Sequence, residues 1–428
     1  MRSRSQAPLR ALRTLLSPAV LSLVLAVPLG AGLVPARADD APAAAPKDTV
    51  RPEVGKPLQA AQALMKDHKF KDALAKIKEA EAVPARTPFE NFTIDQLRGA
   101  AAANDGQDAL AVSSYESVVS SGRMPPADQL RIIQAIAVTY YNKLKDYPNA
   151  AKWAARYIKE GGTDPTSQDL IINSYYLNGD YAQTVTELKT LMESDERAGR
   201  VTSEQHLQIL LSCAVKQKDA AGQSGALEKL LIAYPKKEYW DQAISHLVHK
   251  ASFAERLDLD LLRLRFALND FKRDSDYMDM GQLALEAGYA VEAKKVIDQG
   301  FSAGMLGKGA DAERQKRLQN LVNKEAATDQ KSIGAGDVDA EKAKTGDGLV
   351  NAGFNYVLNG KFERGLSLME QGLKKGGLRH AEDSKLHYGV ALLMAGQKEH
   401  AVQVLRSVQG SDGTSDIAHL WAVHAGKA

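Results

Sequence analysis

Residues 349–369 read Leu349-Val350-Asn351-Ala352-Gly353-Phe354-Asn355-Tyr356-Val357-Leu358-Asn359-Gly360-Lys361-Phe362-Glu363-Arg364-Gly365-Leu366-Ser367-Leu368-Met369. Leu349, Ala352 and Tyr356 lie at helical spacing before Gly360, and Gly365 and Met369 lie at helical spacing after it. Gly360 supplies the left-handed backbone that a tight turn between two helices requires. Gly353 stands seven residues before that turn and Gly365 five after it. A spacing of twelve puts one small residue on each of two antiparallel helices near their crossing. Larger side chains there would force the axes apart.

The same arrangement recurs along the chain. Turn glycines stand at 106, 179, 288, 360 and 396, separated by 73, 109, 72 and 36 residues. These are close to whole multiples of 36, and His68 extends the series toward the amino terminus. A second series agrees with the first: Ala61, Gly99, Gly281, Gly353 and Gly389 precede the turns by seven, and Ala73, Ala111, Ala293, Gly365 and Ala401 follow them by five. Two series sharing one period predict serial helical hairpins. The third unit, around Lys143 to Pro148, is longer, and the units near Lys218 and Ser252 keep the period without a glycine turn.

These positions resemble the tetratricopeptide repeat, which carries W-x2-L-G-x2-Y on its first helix and A-x3-F on its second. Here Leu349-x2-Ala352-Gly353-x2-Tyr356 with Gly365-x3-Met369 follows that pattern, as does Tyr388-Gly389-x2-Leu392 with Ala401-x3-Leu405. Thr184-x3-Leu188 and Ala111-x3-Tyr115 match the second helix only. The expected fold is all-α: a right-handed superhelical solenoid of antiparallel helix pairs, roughly eight to ten units. Residues 57–327 form the main array and 347–428 the carboxy-terminal repeats. A glycine- and charge-rich stretch at 328–346 reads as an exposed insertion. Ser415 to His424 reads as a capping helix with Ser415 or Asp416 at its N-cap, and Leu420 and Trp421 covering the open end.

The amino terminus has a separate character. Four arginines precede an apolar stretch centred on residues 20–27, and Ala36-Arg37-Ala38 fits a small-x-small cleavage pattern. Residues 1–38 are therefore expected to be an export signal cleaved after Ala38, leaving a periplasmic chain. Left uncleaved, the segment would be a membrane anchor. Residues 39–56, rich in Ala and Pro, read as a disordered tether. The formal charge is +2, and removing the five arginines of residues 1–38 from it leaves −3. That balance gives no electrostatic footprint for nucleic acid or anionic lipid. The lone Cys213 sits in an apolar helical run and reads as a buried structural residue, so an exported chain would be held by packing without an internal disulfide.

Chemistry-bearing patterns are sparse. Gly304 to Gly309 has the wrong glycine spacing for a phosphate loop and lacks its closing Ser or Thr. His246 and His249 share a helix face, but spacing supplies no third ligand for zinc. Asp274, Asp276 and Asp279 read as an acidic helix start, not a calcium loop. No cofactor, metal or catalytic residue is expected. Eight aromatics fall within residues 140–181, and Tyr140, Tyr141, Asn173 and Tyr176 are the candidate partner-binding residues. The expected function is a non-enzymatic scaffold that binds a protein of the cell envelope on a concave face. The alternative is a carbohydrate-binding accessory of envelope polysaccharide export, with tyrosines stacking on sugars. Finally, Tyr239-Trp240, Asp276-Tyr277-Met278, Gln282 to Gly288 and Asp298-Gln299-Gly300 are similar to periplasmic repeat proteins that accompany TonB, ExbB and ExbD. That resemblance implies a place in an energy-transducing complex.

Overall fold

The computed structural model describes residues 48–426; the segment read as an export signal and the first half of the stretch read as a tether lie outside them. Every regular element among the described residues is helical, and the chain divides into two compact units at Gln217/Lys218. No helix among the described residues is long and apolar enough to cross a membrane.

The first unit contains α1 (Pro52–Lys66), α2 (Phe70–Glu81), α3 (Pro88–Asp105), α4 (Asp108–Ser120), α5 (Pro126–Thr139), α6 (Tyr147–Lys159), α7 (Thr166–Asn178), α8 (Tyr181–Arg197) and α9 (Glu204–Gln217). The helix begins at Pro52, inside the stretch read as a tether, because Arg51 is tied down. The Arg51 guanidinium and backbone N–H both donate to Glu90, a side chain with no solvent exposure. Glu90 also closes a capping box with Thr87 at the start of α3. The hydrogen bond from Arg51 holds the Glu90 carboxyl down at about 2, against the upward pull of burial. Cys213 is fully buried on α9, and burial pushes its thiol up to about 11.

The second unit contains α10 (Ala220–Ala233), α11 (Lys237–Val248), α12 (Asp258–Ala267), α13 (Asp274–Glu286), α14 (Ala290–Ser302), α15 (Ala312–Ser332), α16 (Asp337–Lys342), α17 (Asp347–Leu358), α18 (Phe362–Lys375), α19 (Ala381–Met394), α20 (Lys398–Ser407) and α21 (Thr414–Ala425). Residues 328–346, read as an insertion, hold the end of α15 and the short α16. They are largely exposed, and the boundary between units does not fall there.

The hairpin geometry follows from the two small-residue series. Gly106, Gly179, Gly288, Gly360 and Gly396 all have φ between 76° and 82°. After each, the next residue's N–H reaches back five positions, as from Lys361 to the Tyr356 carbonyl. That bond satisfies a carbonyl at the helix end. Where glycine is missing, His68, Lys145 and Lys218 take the same left-handed conformation. Lys145 and Lys218 are followed by Asp146 and Asp219, whose carboxylates cap the next helix through Asn149 N–H and Gly222 N–H. In the longer third unit a one-turn π-helix, Tyr140–Leu144, accommodates the extra residue. The sixth unit departs from expectation. Its left-handed residue is Asn269, between α12 and α13, and not near Ser252.

The small residues at the crossings pack as their spacing requires. A Cβ on Gly353 would lie 2.6 Å from the Gly365 carbonyl oxygen, and one on Gly365 would lie 2.6 Å from that of Gly353. Gly99, Gly281 and Gly389 instead receive the side chains of Tyr115, Ile297 and Leu405.

The last helix differs from the expected cap. Its N-cap is Gly413, in the left-handed region at φ 107°, and neither Ser415 nor Asp416 caps it. Asp416 accepts from Ser224 and Lys250 instead. Leu420 and Trp421 are buried because α21 packs against α20, α19, α12 and α10, so they do not cover an open end.

Candidate functional site

The second unit contains a cleft of about 560 Å³ whose walls come from α12, α13, α14, α17, α19, the start of α20 and α21. Distant parts of the sequence meet there because charged and aromatic side chains brace them. Arg263 on α12 forms a bidentate pair with Glu292 on α14, at 2.8 and 2.7 Å. The same guanidinium donates to Asp260 at 2.9 Å. It also stands over the rings of Tyr289 and Phe354, 5.1 and 4.9 Å from their centroids. Phe354, on α17, stacks on His387 of α19, and His387 Nε2 lies 2.8 Å from Asp260. Burial alone would push the Asp260 carboxyl up; the charges and hydrogen bonds of His387 and Arg263 outweigh it and hold it at about 2. Every member of this set has a partner, the condition under which buried charge is tolerated.

The segment before α21 is held equally firmly. Arg256 pairs with Asp383 and Asp412, Ser252 donates to the Ser411 carbonyl, and Ala254 N–H donates to that of Asp412. Gly413 lies so close to Phe253 that a Cβ there would stand 2.6 Å from the ring. These contacts fix α21, and with it Trp421, at the cleft wall. The lining is mainly apolar: Phe266, Met280, Val296, Leu358, Leu393 and Trp421 contribute to it. Met394, also at the cleft, leaves 39% of its surface exposed. The Trp421 indole N–H is buried without a hydrogen-bond partner. A preformed apolar concavity with a few polar groups is the usual form of a binding site.

The residues singled out from the sequence lie elsewhere, in the first unit. Tyr141 is 4% exposed and its hydroxyl has no partner; burial pushes that hydroxyl up to about 12. Asn173 is 7% exposed and donates to the Asp169 carbonyl. Tyr140 is half-buried and donates to Glu116, which also accepts from the Trp153 indole. Tyr176 is half-buried and hydrogen-bonds Ser212. Trp153 and Tyr157 are core residues of the same cluster. The four candidates therefore form no single open surface: two lie in the interior, and the hydroxyls of the other two are engaged. Sugar stacking needs an open ring face, which Tyr141 does not have.

Other sequence candidates resolve into local structure. Asp276 accepts the backbone N–H groups of Lys272 and Arg273 at the start of α13. His246 and His249 each lie within hydrogen-bond distance of a main-chain carbonyl. Among the described residues no group of three or more His, Cys, Asp or Glu side chains is placed to hold a metal.

No protein-family model matches the chain, and no curated protein matches it. Solved structures that resemble it include the following three. A tetratricopeptide repeat protein from Parabacteroides merdae is 14% identical, with a TM-score of 0.28 over 63% of this chain and 98% of that one. The Naa15/Naa10 structure bound to HypK-THB is 14% identical, with a TM-score of 0.29 over 83% of this chain and 58% of that one. The P58(IPK) TPR domain is 10% identical, with a TM-score of 0.21 over 87% of this chain and 98% of that one. The fold is defined by the hairpins themselves.

Proposed function

We propose that this chain is a non-enzymatic interaction scaffold that holds a segment of a partner protein by seating apolar side chains in the cleft of the second unit. The observation that carries this reading is the cleft itself, an apolar concavity whose walls are cross-braced by a fully paired buried ion network. A preformed site loses less conformational entropy on binding than one that must first be ordered. Its volume is that of a site for a few anchoring side chains, smaller than a whole helix would need.

The export signal read at residues 1–38 supports a periplasmic setting, with the partner in the cell envelope. The segments similar to companions of TonB, ExbB and ExbD fall on α11, α13 and α14, and the last two supply cleft walls. A role in a TonB-type complex is the narrower form of the proposal.

The test is a photo-crosslinking amino acid placed at Met394 in the producing cell, with Phe362 as control. Phe362 is similarly exposed, at 38%, but does not line the cleft. The expected result is one dominant protein adduct from position 394 and none from 362. TonB, ExbB or ExbD in that adduct supports the narrower form. Absence of a protein adduct at 394, or equal adducts at both positions, overturns the proposal.

A further inference from the structure

The charges at the cleft are not balanced. Besides His424, four side chains that are charged at neutral pH line it: Arg263, Glu292, Lys295 and Lys398. Arg263 and Glu292 neutralise each other through their bidentate pair, so that buried couple presents no net charge to a ligand. Lys295 on α14 and Lys398 at the start of α20 remain. Both are exposed, and neither has an ion-pair or hydrogen-bond partner among the described residues. Pairing is otherwise common here: Lys294, the residue before Lys295, pairs with Asp298, and Lys385 on α19 pairs with Glu382. The lining thus combines an apolar floor with two unpaired cations contributed by different elements.

From this we propose that the bound segment is acidic, with its apolar anchors flanked by Asp or Glu side chains that meet Lys295 and Lys398. The proposal rests on the reading of the cleft as a peptide site. The physical argument is complementarity of sign. Rim charges add modestly to affinity, but they discriminate strongly between partners, because like charges brought together at a desolvating rim are repelled. A segment flanked by Lys or Arg would meet two unpaired cations, and Glu292, the carboxylate of the lining, is committed to Arg263. An acidic segment instead gains two ion pairs and loses none. Its association is also accelerated at low salt, and that acceleration is screened as salt rises.

The experiment uses a random-peptide phage library selected on the intact chain. Counter-selection is on the Leu393→Gln/Met394→Gln variant, whose cleft mouth is made polar without any change of charge. Enriched peptides are synthesised and their binding is measured against the natural chain and against Lys295→Glu/Lys398→Glu. The two lysines are exposed, so their replacement leaves the packing intact. The expected result is enrichment of peptides with apolar anchors beside acidic residues. Their affinity should fall on the order of tenfold in the double glutamate variant and also fall with added salt. Enriched peptides flanked by basic residues, or by no charge, would overturn the acidic assignment while leaving the peptide site standing. No enrichment over counter-selection, with oleate binding to the natural chain and not to the polar variant, would overturn both and make the cleft an amphiphile site. No enrichment and no oleate binding would likewise overturn both.

Discussion

Replacing Gly353 with leucine is expected to unfold the second unit, at a cost above about 4 kcal/mol. The reason is the identity of the atoms it would meet. The Cβ alone would stand 2.6 Å from the Gly365 carbonyl oxygen and 2.8 Å from the Met369 nitrogen. Backbone cannot rotate out of the way as a side chain can. Nor can α17 and α18 splay apart, because the pair is pinned again at Gly346 and Gly372, where a Cβ on Gly372 would stand 2.8 Å from the Gly346 oxygen. Gly360→Ala is the control. Its φ of 76° strains an L-residue, but nothing lies within 4 Å, so about 1 kcal/mol is expected. Urea unfolding followed by circular dichroism gives both values. Equal, mild effects would show that the glycine crossing is not tight.

Arg263→Met is expected to cost about 3–5 kcal/mol. The substitution keeps an apolar stem between Tyr289 and Phe354 but leaves Asp260 and Glu292 buried without their shared cation. The pH dependence distinguishes this cause from simple loss of packing. In the natural chain the Asp260 carboxyl is held at about 2, below its unfolded value. The stability it contributes is present above about pH 4 and is lost as pH falls toward 2. In the variant His387 alone opposes the burial of Asp260, and Glu292 has lost its bidentate partner, so protonating a carboxyl relieves the strain. The difference in stability between variant and natural chain should therefore shrink between about pH 7 and about pH 5. A penalty independent of pH would assign the loss to packing.

The hairpins were legible in the sequence because a left-handed turn and a close helix crossing are each strict about side chains. Glycines at 106, 179, 288, 360 and 396 satisfy the first demand, and Gly353 with Gly365 satisfies the second. Lys145 and Lys218 escaped the glycine series because lysine can adopt the turn at some cost; the Asp that follows each was the usable signal. The aromatic cluster was visible, but its orientation was not. The π-turn at Tyr140–Leu144 inserts a residue and shifts every later face of that hairpin, so Tyr141 points inward. The cleft was not legible at all. It depends on Asp260 meeting His387 and on Arg256 meeting Asp383, each 127 residues apart, and on Lys250 meeting Asp416, 166 residues apart. A period of 36 residues reports how neighbouring units pack. It says nothing of which distant units close upon one another.

Amide hydrogen exchange on the intact chain, with and without a peptide recovered from the library selection, tests the cleft most directly. Binding there should slow exchange in α12, the first turns of α14, the end of α19 and α21, and leave α5 to α7 unchanged. Protection confined to α5–α7, around Tyr140 and Tyr176, with none at the cleft, would contradict the account and return the binding surface to the aromatic cluster of the first unit.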